Sequence, residues 1–270
     1  MPSARKPTPP AKTSWLHRLA GFLGKAVKPA APAVKKSRTH SGPPILSRAE
    51  TALLPPFPGL TPDRIHVPRT AAECEAALQQ ILAAGVAGFD TEARPTFRAG
   101  EKSNGPHVVQ FALTDRAFIF QLHRAECLPT VASLIESDRV LKVGFGLRND
   151  HGQIRQRFGV TLHHVVDLDH IFRKRGHRDQ IGVRRAMAEV LGQSFPKSKS
   201  ITTSNWAANE LTPNQLRYAA DDAYAALKIM ETLKLGPDDI AGSTGGERRK
   251  RTSRRGPRRR RTSSSPQSAH

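Results

Sequence analysis

The sequence predicts an α/β domain: a mixed central β-sheet flanked by helices. Three observations lead there. Three strand-like segments come early and close together, two of them joined by a turn too short to hold a helix. After them, short apolar strands alternate with helix-patterned segments. Outside this region both ends of the chain have a composition that cannot build a core. A leading antiparallel meander followed by strand–helix alternation is the pattern of a mixed sheet with helices on both faces.

The ends define the boundaries. Residues 1–49 hold ten Lys or Arg and no acid, with many Pro, Ala and Ser, and residues 247–270 hold ten Lys or Arg against the single acid Glu247. Such segments bury too little apolar surface to offset chain entropy. The expected organisation is a basic Pro/Ala-rich arm over 1–62, a folded domain over 63–236 and an Arg/Ser-rich tail over 237–270. The net charge is +20 from 43 basic and 23 acidic residues, yet residues 50–246 hold 23 basic and 22 acidic ones. The basicity therefore belongs to the tails. A polycation at each end attracts polyanions, and nucleic acid is the expected partner, with the tails on its phosphate backbone.

The elements follow in order. Pro-rich PPFPGLTP at 55–62 closes the arm. Ala71 to Ala84 reads as a helix with Leu78, Ile81 and Leu82 on one side and Gly85 as its stop. Val86 to Glu92, His107 to Leu113 and Ala117 to Leu122 read as strands, the last two joined through Thr114, Asp115 and Arg116. Helix is expected from Leu128 to Glu136, strand from Val140 to Phe145, helix from Leu147 to Phe158, and strand from Val165 to Leu168. A long helix begins behind Thr212-Pro213, a cap followed by proline at the first helical position, and runs to about Leu233.

Cys74 and Cys127 form neither a disulfide framework nor a zinc set, and are expected as ordinary thiols. No stretch reaches the roughly 18 apolar residues of a transmembrane helix. Residues 15–27 (WLHRLAGFLGKAV) have apolar positions at helical spacing between bases, the pattern of a surface-binding amphipathic helix or of a transit peptide. The Arg-rich segment 248–261 suits a nuclear signal in a eukaryote or a polyanion tether in a bacterium, and the composition favours a bacterial cytoplasm.

Chemistry concentrates in five residues. Asp90 and Glu92 are two apart at a strand end, so both carboxylates project to one face. Such a pair is costly unless a cation neutralises it, and a hard divalent ion with oxygen ligands is suited to that task. Asp150 follows a buried strand and the glycines Gly144 and Gly146, near the start of a helix. Tyr218 and Asp222, four apart in YAADDAYAAL, share a helical face, with Ala219 and Ala220 between them letting that helix approach the sheet. Asp221 points roughly 100° away. Each piece alone is unspecific.

Together, Asp90, Glu92, Asp150 and Asp222 resemble, in order and context, the acids of the DEDD exonuclease superfamily, with Tyr218 marking its tyrosine branch. The histidine branch places His one position earlier, where this chain has Arg217. The segment KSITTSNWAANELTPNQLRYAADDAYAALKI (199–229) is similar to the exonuclease domain of Werner-syndrome-type proteins and, more distantly, to RNase D. The similarity covers about residues 65–233. It departs at His151-Gly152-Gln153, where the family has a bulkier aromatic-containing run, and no helicase region accompanies these 270 residues. The resemblance implies an RNase H-like fold and a 3′–5′ exonuclease that releases nucleoside 5′-monophosphates with two Mg²⁺ or Mn²⁺ ions about 4 Å apart. It implies that Asp90 bridges both ions, that Glu92 and Asp222 complete the site that activates water, that Asp150 holds the second ion through water, and that Tyr218 orients the attacking water. The rival readings are an RNase D-like enzyme trimming RNA 3′ ends and a catalytically silent nucleic-acid-binding adaptor of the same fold.

Weaker signals are read structurally. His163, His164, Asp167, Asp169 and His170 match no zinc spacing and are expected to be structural. Arg173, Lys174, Arg175, His177 and Arg178 form a basic run expected as a solvated loop. Trp206 is expected to pack rather than stack on a base, and Phe111 and Phe145 to lie in the core.

Overall fold

The computed structural model describes residues 46–96, 100–101, 104–177, 179–235 and 239–240. The amphipathic segment 15–27, the Arg-rich tail and Arg178 lie outside the described residues. Its centre is a six-stranded sheet ordered β1-β4-β3-β2-β5-β6, from strands β1 (Ile65–His66), β2 (Val86–Glu92), β3 (Val108–Ala112), β4 (Ala117–Gln121), β5 (Leu141–Gly144) and β6 (Val165–Asp167). β2, β3 and β4 form the expected antiparallel meander, while β5 joins β2, β6 joins β5 and β1 joins β4 in parallel. The sheet is thus mixed. β1 was not apparent in the sequence, because two residues carry no alternation.

Helices cover both faces. They are α1 (Arg48–Ala52), α2 (Ala71–Ala84), α3 (Leu128–Glu136), α4 (Arg148–Phe158), α5 (Leu168–Lys174), α6 (Val183–Leu191), α7 (Lys199–Thr202) and α8 (Pro213–Leu233). Local chemistry sets several ends. Thr70 and Glu73 form a capping box at the start of α2, Gly85 ends it in the left-handed conformation, and Thr212 with Gln215 caps α8 behind Pro213. On one face α2 and α3 bury Ile81, Val131 and Leu134 against Phe89, Phe111 and Phe120. On the other, α8 lays Ala219, Ala220 and Ala223 on β2, β3 and β4.

Small residues bring α8 down onto the sheet. A Cβ on Gly88 of β2 would lie 1.9 Å from the carbonyl oxygen of Ala223. Both groups are backbone, so neither can turn aside. Gly88→Ala should therefore cost about 1–3 kcal/mol or more, the range for overpacking a tight core. It should also displace Asp222, the residue next to Ala223 on α8. Denaturant unfolding at matched metal concentration measures the first effect and divalent-ion affinity the second.

Three expectations need correction. The arm does not extend to residue 62. Ser47 and Glu50 cap α1, Phe57 and Leu60 are buried, and the amide of Leu60 donates to Asp221 Oδ1 at 3.0 Å. Pro-rich composition hid this, because the anchoring comes from isolated apolar side chains and backbone pairing of Pro56 with Ser194. Cys74 and Cys127, expected as separate thiols, face each other with Cα atoms 5.7 Å apart. They lie 53 residues apart, and only the packing of α2 on the turn before α3 brings them together. Finally, Phe145 follows β5 rather than belonging to it, and is half-buried with its ring stacked on Phe172.

Candidate active site

The predicted site residues come from three elements. Asp90 and Glu92 end β2, at the point where its partner β5 has already stopped: the β2–β5 pairing runs from Val86 to Gly88. Asp222 descends from α8. Carboxylate oxygens of Asp90, Glu92 and Asp222 all lie within 4.8 Å of one another, the one such metal-competent group of acids among the described residues. Asp222 Oδ1 is buried without a hydrogen-bond partner. A buried carboxylate oxygen with no donor is costly, so this residue set fits a hard cation.

Asp150 stands apart from the three. It lies in the first turn of α4, and its Oδ1 accepts a hydrogen bond from the Thr91 hydroxyl, which alternation places on the opposite side of β2 from Asp90 and Glu92. It remains close enough for its charge to act on Asp90. Tyr218 is buried under Trp206, ring centroids 5.9 Å apart, and its hydroxyl lies 3.0 Å from that of Thr202 on α7. Trp206 is thus a packing residue. Asp221 points elsewhere, toward Leu60 and Arg217, as one step of about 100° requires.

Electrostatics show three acids crowded into a partly dry site, with the charge of Asp150 also acting on Asp90. Burial, then the charges of Asp150 and Asp222, push the Asp90 carboxyl well above the usual carboxylate range. Burial, then Asp90 and Asp222, raise Glu92 to about 9. Burial also raises Asp150 and Asp222, the latter opposed by Lys197. Tyr218 is raised too, first by burial and then by Asp222.

Lys197 is the residue that sequence reasoning missed. Its Nζ lies 3.1 Å from Asp222 Oδ2 and 5.6 Å from the centre of the Tyr218 ring. Burial alone would lower its pKa, but Asp222, Tyr218 and Asp90 together raise it. The run Pro196-Lys197-Ser198-Lys199 held no usable signal, since nothing local distinguishes Lys197 from Lys199. A cavity of about 150 Å³ opens beside the acids, bounded by Asp90, Asp222, Lys197, Phe145 and Gln180. A larger one of about 700 Å³ shares Lys197 and Gly182 with it and is walled by the 46–56 segment, Arg184 and Phe195.

Asp167, Asp169 and His177 have partners within the fold. Asp167 accepts from the amides of Gly146, Leu147 and Asp169, and Asp169 accepts from Ile181 and pairs with Arg173 at 2.8 Å. His177, expected in a solvated loop, is buried with its Nε2 2.9 Å from Glu189.

The sequence pattern of a family described as 3′–5′ exonuclease matches residues 65–236. A 3′–5′ exonuclease of Arabidopsis thaliana is 28% identical over 192 residues, covering 67% of each chain. The mouse bifunctional 3′–5′ exonuclease/ATP-dependent helicase WRN is 30% identical over 151 residues, which are 55% of this chain but 11% of that protein. Among solved structures, RNase D of Trypanosoma brucei superposes with a TM-score of 0.59 at 20% identity, over 66% of this chain and 68% of that one. The exonuclease domain of Aedes aegypti Nibbler gives 0.55 at 22%, over 68% of this chain and 91% of that one. Among the described residues no helix is long and apolar enough to cross a membrane.

Proposed function

The chain belongs to the 3′–5′ exonuclease family, and on that premise we propose that it hydrolyses nucleic-acid phosphodiester bonds from the 3′ end, releasing nucleoside 5′-monophosphates. The observation that carries this reading is the convergence of Asp90, Glu92 and Asp222 within 4.8 Å around an unpartnered carboxylate oxygen. Asp90 and Glu92 would hold a cation from the strand end, with Asp222 closing the position from α8. We assign Asp150 to a second position, which it would reach through water. Two Mg²⁺ or Mn²⁺ ions held by these residues would supply the positive charge that stabilises the incoming hydroxide and the departing 3′ oxygen. Tyr218 holds its hydroxyl at the edge of the cluster, where it orients the attacking water. Packing of α8 on the sheet keeps these groups in register.

The deciding experiment is digestion of matched 3′-labelled and 5′-labelled DNA and RNA oligomers with Mg²⁺, Mn²⁺ or EDTA. Metal-dependent release of mononucleotides from the 3′ label first supports the reading. Internal cuts, release from the 5′ end, or no hydrolysis with either metal would count against it. Comparing the two polymers separates DNA processing from RNA trimming, and binding without hydrolysis would mark a silent adaptor.

The raised acids predict a pH dependence. A carboxyl whose folded pKa exceeds its unfolded value is favoured in its protonated form by folding. The stabilisation is complete below the unfolded pKa and is lost as pH rises through the folded one. For Glu92 that window runs from about 4.5 to about 9. Metal-free protein should lose stability across this window relative to Glu92→Gln, and saturating Mn²⁺ should remove the difference. Divalent ions displace the same protons, so their apparent affinity should rise with pH over that range. Unfolding midpoints in EDTA and in Mn²⁺ check both statements, and parallel pH profiles for the two proteins would contradict them.

The tails enter through charge. We assign them to phosphate contacts, because residues 50–246 are nearly neutral while each end carries ten Lys or Arg. A chain shortened to 46–246, which keeps α1, should retain its turnover at saturating substrate but bind long strands more weakly. Its affinity should also depend less on salt, the slope falling by about 0.7 for every single-strand phosphate that the tails no longer neutralise. Salt titrations of binding check this, and parallel slopes would remove the tails from nucleic-acid binding.

A further inference from the structure

We propose that Lys197 is a tethered cation that fills the carboxylate cluster of the metal-free protein and has to leave it before divalent ions load. The inference rests on the metal-dependent reading above. Among the described residues, Lys197 is the one cation ion-paired with an acid of the cluster, 3.1 Å from Asp222. Its charge also acts on Asp90 and Glu92. The ammonium therefore neutralises the same carboxylates that a divalent ion would. A divalent ion bound by Asp222 would sit within a few ångströms of that ammonium, and in a partly dry site two like charges at that range repel strongly.

The structure gives the side chain alone the freedom to move. Its backbone is pinned: Arg184 Nη2 donates to the Lys197 carbonyl at 3.0 Å. Three residues earlier, Ser194 is bonded on both sides, its amide to Pro55 and its carbonyl to the amide of Phe57. Phe195 packs its ring 5.8 Å from that of Phe57. The four-carbon stem nevertheless borders the 700 Å³ cavity, leaving the side chain 35% exposed. Turning into that cavity vacates the cluster and keeps the charge beside it. Holding the lysine in the cluster costs metal affinity in proportion to the population that must be displaced.

The test uses the full chain with Lys197→Met, which keeps the stem and drops the charge, and Lys197→Arg, which keeps the charge. Mn²⁺ binding is measured by calorimetry, and thermal midpoints are measured in EDTA. Lys197→Met should bind Mn²⁺ about tenfold more tightly and melt earlier in EDTA, while Lys197→Arg stays near wild type in both. Equal or weaker Mn²⁺ binding by Lys197→Met would overturn the proposal. Should that variant fail to fold, the unaltered protein still decides. The ¹⁵N ammonium signal of Lys197 should be protected from exchange in EDTA and lose that protection as Mg²⁺ saturates. A signal unchanged by Mg²⁺ would also overturn it. Absence of any Mn²⁺ binding by the wild-type protein would instead sink the exonuclease reading.

Discussion

Replacing Asp90 or Asp222 by Asn is expected to reduce nucleotide release by more than about 10³-fold while leaving the fold intact. The neutral amide keeps the shape of the side chain and removes the charge that would ligate an ion. Both positions stand at the cluster rather than in the apolar packing, and burial already presses their carboxyls toward neutrality. Metal-free stability should therefore change little or rise for Asp90→Asn and fall modestly for Asp222→Asn, which loses the Lys197 ion pair, whereas Mn²⁺ affinity should collapse in both. Asp221→Asn is the internal control. Its carboxylate accepts the Leu60 amide at 3.0 Å and pairs with Arg217 at 3.5 Å, so it anchors the 57–60 segment instead of the cluster. Burial raises it to about 6 despite the Leu60 amide, and the amide substitution should cost a modest amount of stability with turnover nearly unchanged. Turnover and Mn²⁺ binding of the three purified proteins decide the assignment. Equal losses at 221 and 222 would show that α8 presents the wrong face to the site.

What was legible in the sequence follows physical range. The bounds of α2 and α8 are written in local chemistry, a Thr cap with its partner three residues on and a glycine or proline beyond, and both helices fall where that chemistry puts them. β2 was legible because the apolar residues from Val86 to Phe89 follow the Gly85 stop and run directly into the Asp90 and Glu92 pair. The pairing of Asp90 with Glu92 is local as well. Their meeting with Asp222 spans far more of the chain, and only the motif resemblance brought them together before the fold was known. Lys197, the 46–62 segment and the Cys74–Cys127 contact had no such help. Each depends on an approach between residues far apart in sequence whose local surroundings are ordinary. His177 shows the opposite error, since a basic run suggests solvent while Glu189 on α6 draws this one ring inside.

Tyr218→Phe should slow turnover by about 10²-fold, within the span of a positioned proton-handling group, and leave metal affinity near wild type. The ring is held from several sides independently of its hydroxyl: Trp206 packs against it, Ala219 and Ala220 fix its helix to the sheet, and Lys197 lies over its face. Phenylalanine keeps all of this packing. What it lacks is one oxygen, 3.0 Å from the Thr202 hydroxyl and on the same helical face as Asp222, one turn away. A phenol whose pKa is pushed up by burial and by Asp222 stays protonated at any working pH. It can therefore donate to a water and align it, but it does not act as a base. Two consequences distinguish this from a structural role. The loss should fall on kcat with little change in KM, and the pH profile should keep its shape. Thr202→Val should give a smaller effect in the same direction, because it frees the hydroxyl to turn without removing it. A Tyr218→Phe protein with full turnover at saturating Mg²⁺ would leave water positioning to the carboxylates alone.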